Sequence, residues 1–194
     1  MKKPGVPLAT ICFILLACNN DAETTNERTD TSTITTTSTD AKPNTATSVV
    51  TDEKSSAFLV KAANSGIAEV QFAKLAQQKA TIDAVKSFAA MLEKDHSAAN
   101  DQVKSLAGQR NVSLPASPSE DKQKMYTDME KMTGKAFDKH YISMMVKSHN
   151  DGIDLFEDTR SNASDIDVKN FADKTLPTLK MHLDSAKAIQ KRYW

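Results

Sequence analysis

Residues 85–103 read VKSFAAMLEKDHSAANDQV, and this stretch decides the fold. Its apolar residues recur at helical spacing, as one stripe, at Val85, Ala89, Leu92, Ala99 and Val103. Such spacing is typical of an α-helix that buries one face. His96 lies in the same stripe, where a further apolar residue would be expected. The stretch therefore predicts a core-facing helix that carries an imidazole on its buried side.

Three other helical stretches each carry a single polar residue on an apolar stripe. Glu69 lies eleven residues after Phe58, and His182 lies eleven after Phe171. Eleven residues return an α-helix to nearly the same direction, so each polar residue shares the line of an aromatic one. His149 has apolar residues four and seven positions away on both sides. Four helices thus each direct one titratable group inward.

The fourth histidine of the chain lies on the same predicted helix as His149 and serves as a comparison, because it does not lie on the apolar stripe. His140 lies nine residues before His149, which places it about 180° around the helix. We therefore expect His140 to be a solvated surface residue.

Residues 55–194 have the composition of one all-helical domain. Glycine is scarce, β-branched alternation is absent, and the good helix formers Ala, Leu, Lys, Met and Glu are plentiful. The pattern predicts long helices at about 56–79, 82–109, 137–159 and 165–192, and a short one that starts with Ser117 as its cap and ends near Lys131. Gly134 is read as the stop signal of the short helix. The sequence predicts an all-α four-helix bundle with a short extra helix in the middle connection.

The first 54 residues differ from the domain in composition. Two lysines precede an apolar run of ten residues, a length typical of a signal peptide and half that of a membrane span. Residues 15–18 resemble the lipobox of bacterial lipoproteins, so we interpret residues 1–17 as a lipoprotein signal peptide and Cys18 as the lipidated residue. The alternative is a plain signal peptide followed by a chance cysteine. Residues 18–54, rich in Thr, Ser, Asn and Asp, are predicted to form a disordered tether.

Charge and cysteine content exclude several kinds of partner and ligand. The chain has 25 basic and 25 acidic residues without a dense basic cluster, which argues against nucleic acid as a partner. The predicted membrane contact is the lipid on Cys18. Because Cys12 and Cys18 both lie in the leader, a metal in the domain would need nitrogen or oxygen ligands. No recognised catalytic motif is present, which favours a non-enzymatic protein.

The four inward polar residues are the candidate site. A buried imidazole or carboxylate must be hydrogen-bonded, charge-paired or metal-bound. If Glu69, His96, His149 and His182 lie at one level of the bundle, they can converge on one zinc, copper or iron ion. The carboxylates predicted to orient the imidazoles from behind are Glu93, Asp95 and Glu157. The alternative is a metal-free network in which Glu69 pairs with a protonated histidine and fixes the helix register.

Short motifs follow one another along the helices in a recognisable order. They are Glu69-Val70, Phe88-Ala89, Met91, Asp95-His96, Phe137-Asp138, Tyr141, His149, Leu176-Pro177 and His182-Leu183. This order resembles a widespread bacterial family of uncharacterised envelope proteins, catalogued as a domain of unknown function and placed among the ferritin-like bundles. The resemblance implies an all-α ferritin-like fold and an envelope location, and it implies no reaction. Glu93 and His96 have the Glu-x-x-His spacing of di-iron bundles, but Leu179 stands where the fourth long helix would need the matching carboxylate.

These features lead to two functional hypotheses. The first is a lipid-anchored protein of the bacterial cell envelope, on its periplasmic or outer-membrane side, whose inward Glu/His cluster binds a transition metal. The second is a non-enzymatic structural, stress-protective or interaction lipoprotein with a metal-free buried polar network.

Overall fold

The computed structural model describes residues 52–194, and all regular secondary structure within them is helical. The helices are α1 (Glu53–Lys79), α2 (Asp83–Gln109), α3 (Glu120–Glu130), α4 (Gly134–Asn162) and α5 (Ile166–Tyr193). The predicted all-α bundle with a short extra helix in its middle connection is confirmed. The predicted signal peptide, Cys18 and nearly all of the predicted tether lie outside the described residues.

The four long helices form two antiparallel hairpins, α1 with α2 and α4 with α5, and α1 also packs against α4 and α2 against α5. Near the start of α4, the Asp138 carboxylate accepts the amide N–H groups of Thr81 and Ile82 at 3.0 to 3.1 Å. Because α2 also starts there, α2 and α4 run parallel. The connection between them must return along the whole bundle, and α3 lies in it, against α1. One long crossover of this kind is the ferritin-like arrangement.

A buried ion pair closes the opposite end of the bundle. The Arg110 guanidinium donates to both carboxylate oxygens of Asp165, at 2.5 and 2.6 Å, and to Asp167 at 2.8 Å. Asp165 also caps the start of α5 by accepting two backbone N–H groups. The hydrogen bond from Arg110 is the main cause of the lowered pKa of the Asp165 carboxyl, which burial opposes. This pair links the end of the first hairpin to the turn of the second.

Two helix starts differ from their sequence prediction. We predicted Ser117 as the cap of the short helix, whereas α3 begins at Glu120 with Ser119 in the N-cap position. The amide N–H of Ser119 donates to the Asn64 side chain at 2.7 Å, so a contact with α1 selects the later start. Gly134, which we predicted as a stop signal, is instead the first residue of α4 and has a φ of 60°. A positive φ suits glycine at this abrupt change of direction.

The start of α1 also lies earlier than the periodicity predicts. The apolar stripe suggests a start near residue 56, but α1 begins at Glu53. The Asp52 carboxylate accepts the Ser55 amide N–H at 3.0 Å and so satisfies one of the free donors of the first turn. The domain therefore extends slightly into the segment predicted as tether.

The apolar core of the bundle consists of two separate clusters, one at each end. The first includes Phe72, Leu92, Phe137, Ile142 and Met145. The second includes Phe58, Val103, Phe156, Phe171 and Leu179. The inward polar residues occur near the middle of each long helix, where the two clusters meet. Among residues 52–194, no helix has the length and apolar character that crossing a bilayer requires.

Candidate metal centre

Three histidines from three helices meet between the two apolar clusters. His96 on α2, His149 on α4 and His182 on α5 have ring centroids 5.3, 5.4 and 5.5 Å apart. One ring nitrogen of each lies within 4.8 Å of those of the other two. All three residues are buried, with exposed fractions of 7, 1 and 1%. Each histidine lies near the midpoint of its helix, which is why the three reach the same level of the bundle.

The backbone of α4 determines which nitrogen of His149 carries its proton. His149 Nδ1 lies 2.9 Å from the carbonyl oxygen of Met145, one turn earlier. A carbonyl only accepts hydrogen bonds, so Nδ1 carries the hydrogen. Burial lowers the pKa of His149, which favours the neutral imidazole. In that state Nε2 presents a lone pair, and it lies 3.3 Å from Nδ1 of His182.

A carboxylate fixes the other histidine of this pair in the same way. His182 Nε2 lies 2.9 Å from Oδ2 of Asp95, so Nε2 donates and Nδ1 presents its lone pair. Burial is the main cause of the lowered pKa of His182, and the bond to Asp95 opposes it only in part. The two neutral rings therefore direct lone pairs at each other across 3.3 Å. Two acceptors at this distance repel unless a proton or a cation lies between them.

The third histidine is held by a buried carboxylate on α1. Glu69 Oε2 lies 3.1 Å from His96 Nδ1, and the Ser148 hydroxyl donates to Oε1 of the same carboxylate. Burial alone would raise the pKa of Glu69, but the charges of His96 and His149 when protonated, the Ser148 hydroxyl and the charge of Lys122 together lower it below its ordinary value. His96 Nε2 is buried and has no hydrogen-bond partner within the described part of the chain.

These contacts fit the donor set of a transition metal. Each imidazole has one nitrogen bound to an acceptor behind it and one nitrogen free, as is usual for metal-binding histidines. Two nitrogens that bind one zinc ion at 2.0–2.1 Å with tetrahedral angles lie roughly 3.3 Å apart, which matches the 3.3 Å between His149 and His182. The nitrogen of His96 has to move inward to join them. A cation at this centre would also balance the charge of the Glu69 carboxylate.

Glu69 occupies a different position from the three histidines. It was predicted as a fourth member of the converging set, and the structure places its carboxylate behind His96, where it accepts from the ring and from Ser148. The converging group within residues 52–194 consists of the three histidines. Glu69 is therefore placed to orient His96 and to hold negative charge next to the centre.

Of the three carboxylates predicted to orient imidazoles, one contacts a histidine. Asp95 accepts from His182. Glu93 instead accepts from the Gln77 side chain at 2.6 Å and lies 3.7 Å from the ammonium of Lys74. The third, Glu157, forms a surface ion pair with a lysine of α5 at 2.7 Å. The expected surface position of His140 is found, since this residue is exposed.

Three further groups near Glu69 or the histidines were not assigned to the site from the sequence. Ser148 precedes His149 directly, and its position three residues after Met145 and four after Met144, at the edge of the apolar stripe, was the signal that could have identified it. The Met145 carbonyl has no side-chain signal, because backbone groups look alike in every sequence. The Tyr141 hydroxyl is buried without a hydrogen-bond partner in the described region, and burial raises the pKa of Tyr141 strongly.

A cavity of about 450 Å³ lies against one side of the cluster. Glu69, His96 and His149 form part of its inner wall. His182 and Asp95 are not part of the lining, so they lie on the side of the cluster away from the cavity. A small molecule in the cavity would therefore reach the centre from the side of α1 and α4.

Comparison with known proteins relates the chain to helical domains without assigned activity. The family model described as "Domain of unknown function (DUF4142)" matches residues 38–189. The structure is similar to that of a DUF305 fragment from Deinococcus radiodurans, with a TM-score of 0.65 and 10% identity over 73% of this chain and 98% of that one. It is also similar to the conserved hypothetical protein rv2844 from Mycobacterium tuberculosis, with a TM-score of 0.58 and 18% identity over 73% of this chain and 92% of that one. At such identities the likeness shows the fold alone, and no curated protein matches the sequence.

Proposed function

The chain belongs to the DUF4142 family, and we propose that it binds one transition-metal ion through His96, His149 and His182. The observation that carries this proposal is the 3.3 Å approach of two ring nitrogens whose opposite nitrogens are both committed to acceptors. Imidazole nitrogen suits zinc, copper and iron, and the described residues contain no cysteine that would compete as a ligand. An ion with three protein ligands retains a position for an exogenous ligand.

The chain's own residues prepare this site in three ways. Asp95, Glu69 and the Met145 carbonyl fix the tautomers so that one lone pair of each ring is free. The carboxylates of Asp95 and Glu69 increase the basicity of the rings that they accept from. The apolar clusters on both sides restrict access of solvent to the side of the cavity. These properties suit tight retention of an ion, as in storage or sensing, and no reaction is assigned.

The rival hypothesis is a metal-free network in a structural, stress-protective or interaction protein. In that state His96 would be protonated and would form an ion pair with Glu69 across the 3.1 Å contact. Its Nε2–H would then be a buried donor without an acceptor in the described structure. Leaving such a donor unsatisfied costs about 1–3 kcal/mol. The metal-bound state satisfies the same atom, and for this reason we favour it.

Metal loading of histidine variants tests the proposal. The purified chain is stripped with a chelator, incubated separately with zinc, copper or iron, desalted, and analysed for bound metal by mass spectrometry. We expect about one ion per chain for the best metal, and loss of that ion in His149→Ala. The matched control is His140→Ala, which removes an exposed histidine from the same helix and should retain the metal. Circular dichroism verifies that both variants are folded.

Two results would contradict metal binding at this centre. One is less than a tenth of an ion per chain for every metal in the folded parent protein. The other is equal metal loss in His140→Ala and His149→Ala, which would indicate non-specific binding by surface groups. Either result would leave the metal-free network as the explanation of the cluster.

We further propose that the domain is anchored to the bacterial cell envelope, on its periplasmic or outer-membrane side, by lipid on Cys18. The support is the leader sequence, in which a short apolar run ends in Leu-Leu-Ala-Cys. Cys18→Ser should move the protein from the membrane fraction to the soluble fraction. Cys12→Ser is the matched control, because that cysteine lies within the apolar run and should leave the anchor intact. Retention of Cys18→Ser in the membrane fraction would exclude the lipid anchor.

A further inference from the structure

The cavity beside the histidine cluster has an apolar interior that the proposed metal centre does not use. Its volume is about 450 Å³, within the range of roughly 300–1,000 Å³ that is typical of small-molecule sites. All four long helices contribute to its walls, and α3 contributes Lys122 and Met125 at its edge. The apolar side chains that line its depth are Phe72, Val103, Leu155, Phe156, Phe171 and Leu179.

The mouth of the cavity is cationic. Lys61, Lys122 and Lys147 line it, and all three are more exposed than the aromatic residues of its depth. Lys147 forms an ion pair with Asp151 at 2.6 Å. Lys61 and Lys122 form no direct ion pair with a carboxylate of residues 52–194, and Glu69 in the cavity wall acts on Lys122 only at longer range. An apolar interior below an unpaired positive rim fits a ligand with an apolar body and an anionic head.

We propose that the cavity binds a single-chain amphiphilic carboxylate, with its chain between the two hairpins and its head group at Lys61 and Lys122. Burial of the ligand's hydrocarbon chain against the aromatic wall supplies affinity, and the lysines select the charge and orientation of its head group. A ligand with an uncharged head group would leave the lysines without a partner, and a ligand with a cationic head group would be repelled by them. The proposal rests on the cavity and its rim, and it requires no metal ion.

A chain-length series tests whether the ligand occupies the cavity. Straight-chain carboxylates from octanoate to octadecanoate are titrated, below their aggregation concentrations, into delipidated full-length protein by calorimetry. Each additional buried methylene should raise the affinity roughly fourfold. The increase should stop once the cavity is full. Adsorption to the protein surface would instead give affinities that rise with chain length without a plateau, and that result would overturn the proposal.

A cavity-filling variant sharpens this test. Gly152 lines the cavity, and apart from its own helical turn nothing lies within 4 Å of a Cβ built there, so the side chain of Gly152→Leu has room to enter. It should move the plateau to a shorter chain. Gly108→Leu is the matched control, because Gly108 is also helical with free space around its Cβ and does not line the cavity. Equal plateaus in the two variants would refute binding in this cavity.

A head-group comparison tests the role of the lysines. The double variant Lys61→Gln/Lys122→Gln should bind dodecanoate at least tenfold more weakly while its affinity for dodecanol stays unchanged. If both ligands lose affinity equally, or neither does, the proposed orientation is wrong. The titrations are repeated with zinc-loaded and chelator-treated protein. Carboxylate binding in both samples supports this proposal even if the metal hypothesis fails, and its absence from both refutes this proposal while leaving metal binding to its own test.

Discussion

Replacing Asp95 with asparagine should separate metal affinity from fold stability. The carboxylate accepts from His182 Nε2 at 2.9 Å, and its side chain is 29% exposed. Loss of a carboxylate that orients a metal-binding histidine reduces metal affinity by roughly 10–100-fold, equivalent to about 1.4–2.7 kcal/mol. Because solvent reaches Asp95, we expect Asp95→Asn to lower the unfolding free energy of the metal-free protein by only about 1 kcal/mol. Metal affinity should therefore fall much more than stability.

The assay is a competition titration with a chromophoric chelator, which gives the dissociation constant of the metal for each variant. The matched control is Glu157→Gln, an isosteric change at a carboxylate that the sequence also suggested but that pairs with a surface lysine. It should change metal affinity less than twofold. Equal effects of Asp95→Asn and Glu157→Gln would refute the inference that the His182–Asp95 contact prepares the site. A metal-free stability loss as large as the affinity loss would identify Asp95 as a structural residue only.

Three further predictions concern the stability of the bundle. Asp138→Ala should lower the unfolding free energy in urea by about 1–3 kcal/mol, because it leaves two partly buried amides at the start of α2 without an acceptor. Asp165→Asn should cost roughly 3 kcal/mol at pH 7 by breaking the pair with Arg110. The folded pKa of Asp165 is lowered, so its contribution to the unfolding free energy is complete above about pH 4 and is lost as the pH falls through the folded pKa. Urea titrations at lower pH should therefore give the same unfolding free energy for wild type and variant. Gly152→Ala should raise the melting temperature, because alanine gains about 0.5–1 kcal/mol over glycine in helix propensity. Gly66→Ala places its Cβ 1.9 Å from a side-chain oxygen of α2, so this variant should gain less or lose stability.

Helix content and the inward direction of the polar residues could be predicted because both depend on local periodicity. A polar residue eleven positions from a buried one must face the same way on an α-helix, whatever the rest of the chain does. The same helical geometry separated His149 from His140, which lie nine residues and about 180° apart, and the structure buries the first and exposes the second. Helix ends were predicted less well where a partner from another helix decides them, as Asn64 does for Ser119.

The sequence by itself determined which residues face the core and that three histidines lie near the middle of their helices. Only the tertiary structure decided that Asp95 contacts an imidazole while Glu93 and Glu157 do not, and that Glu69 lies behind His96. The physical reason is the difference between local and long-range interactions along the chain. Periodicity follows from the dihedral angles of neighbouring residues, whereas a contact between two helices depends on how they are shifted and rotated against each other. A rotation of one residue, about 100°, is enough to turn a carboxylate from a histidine to the solvent.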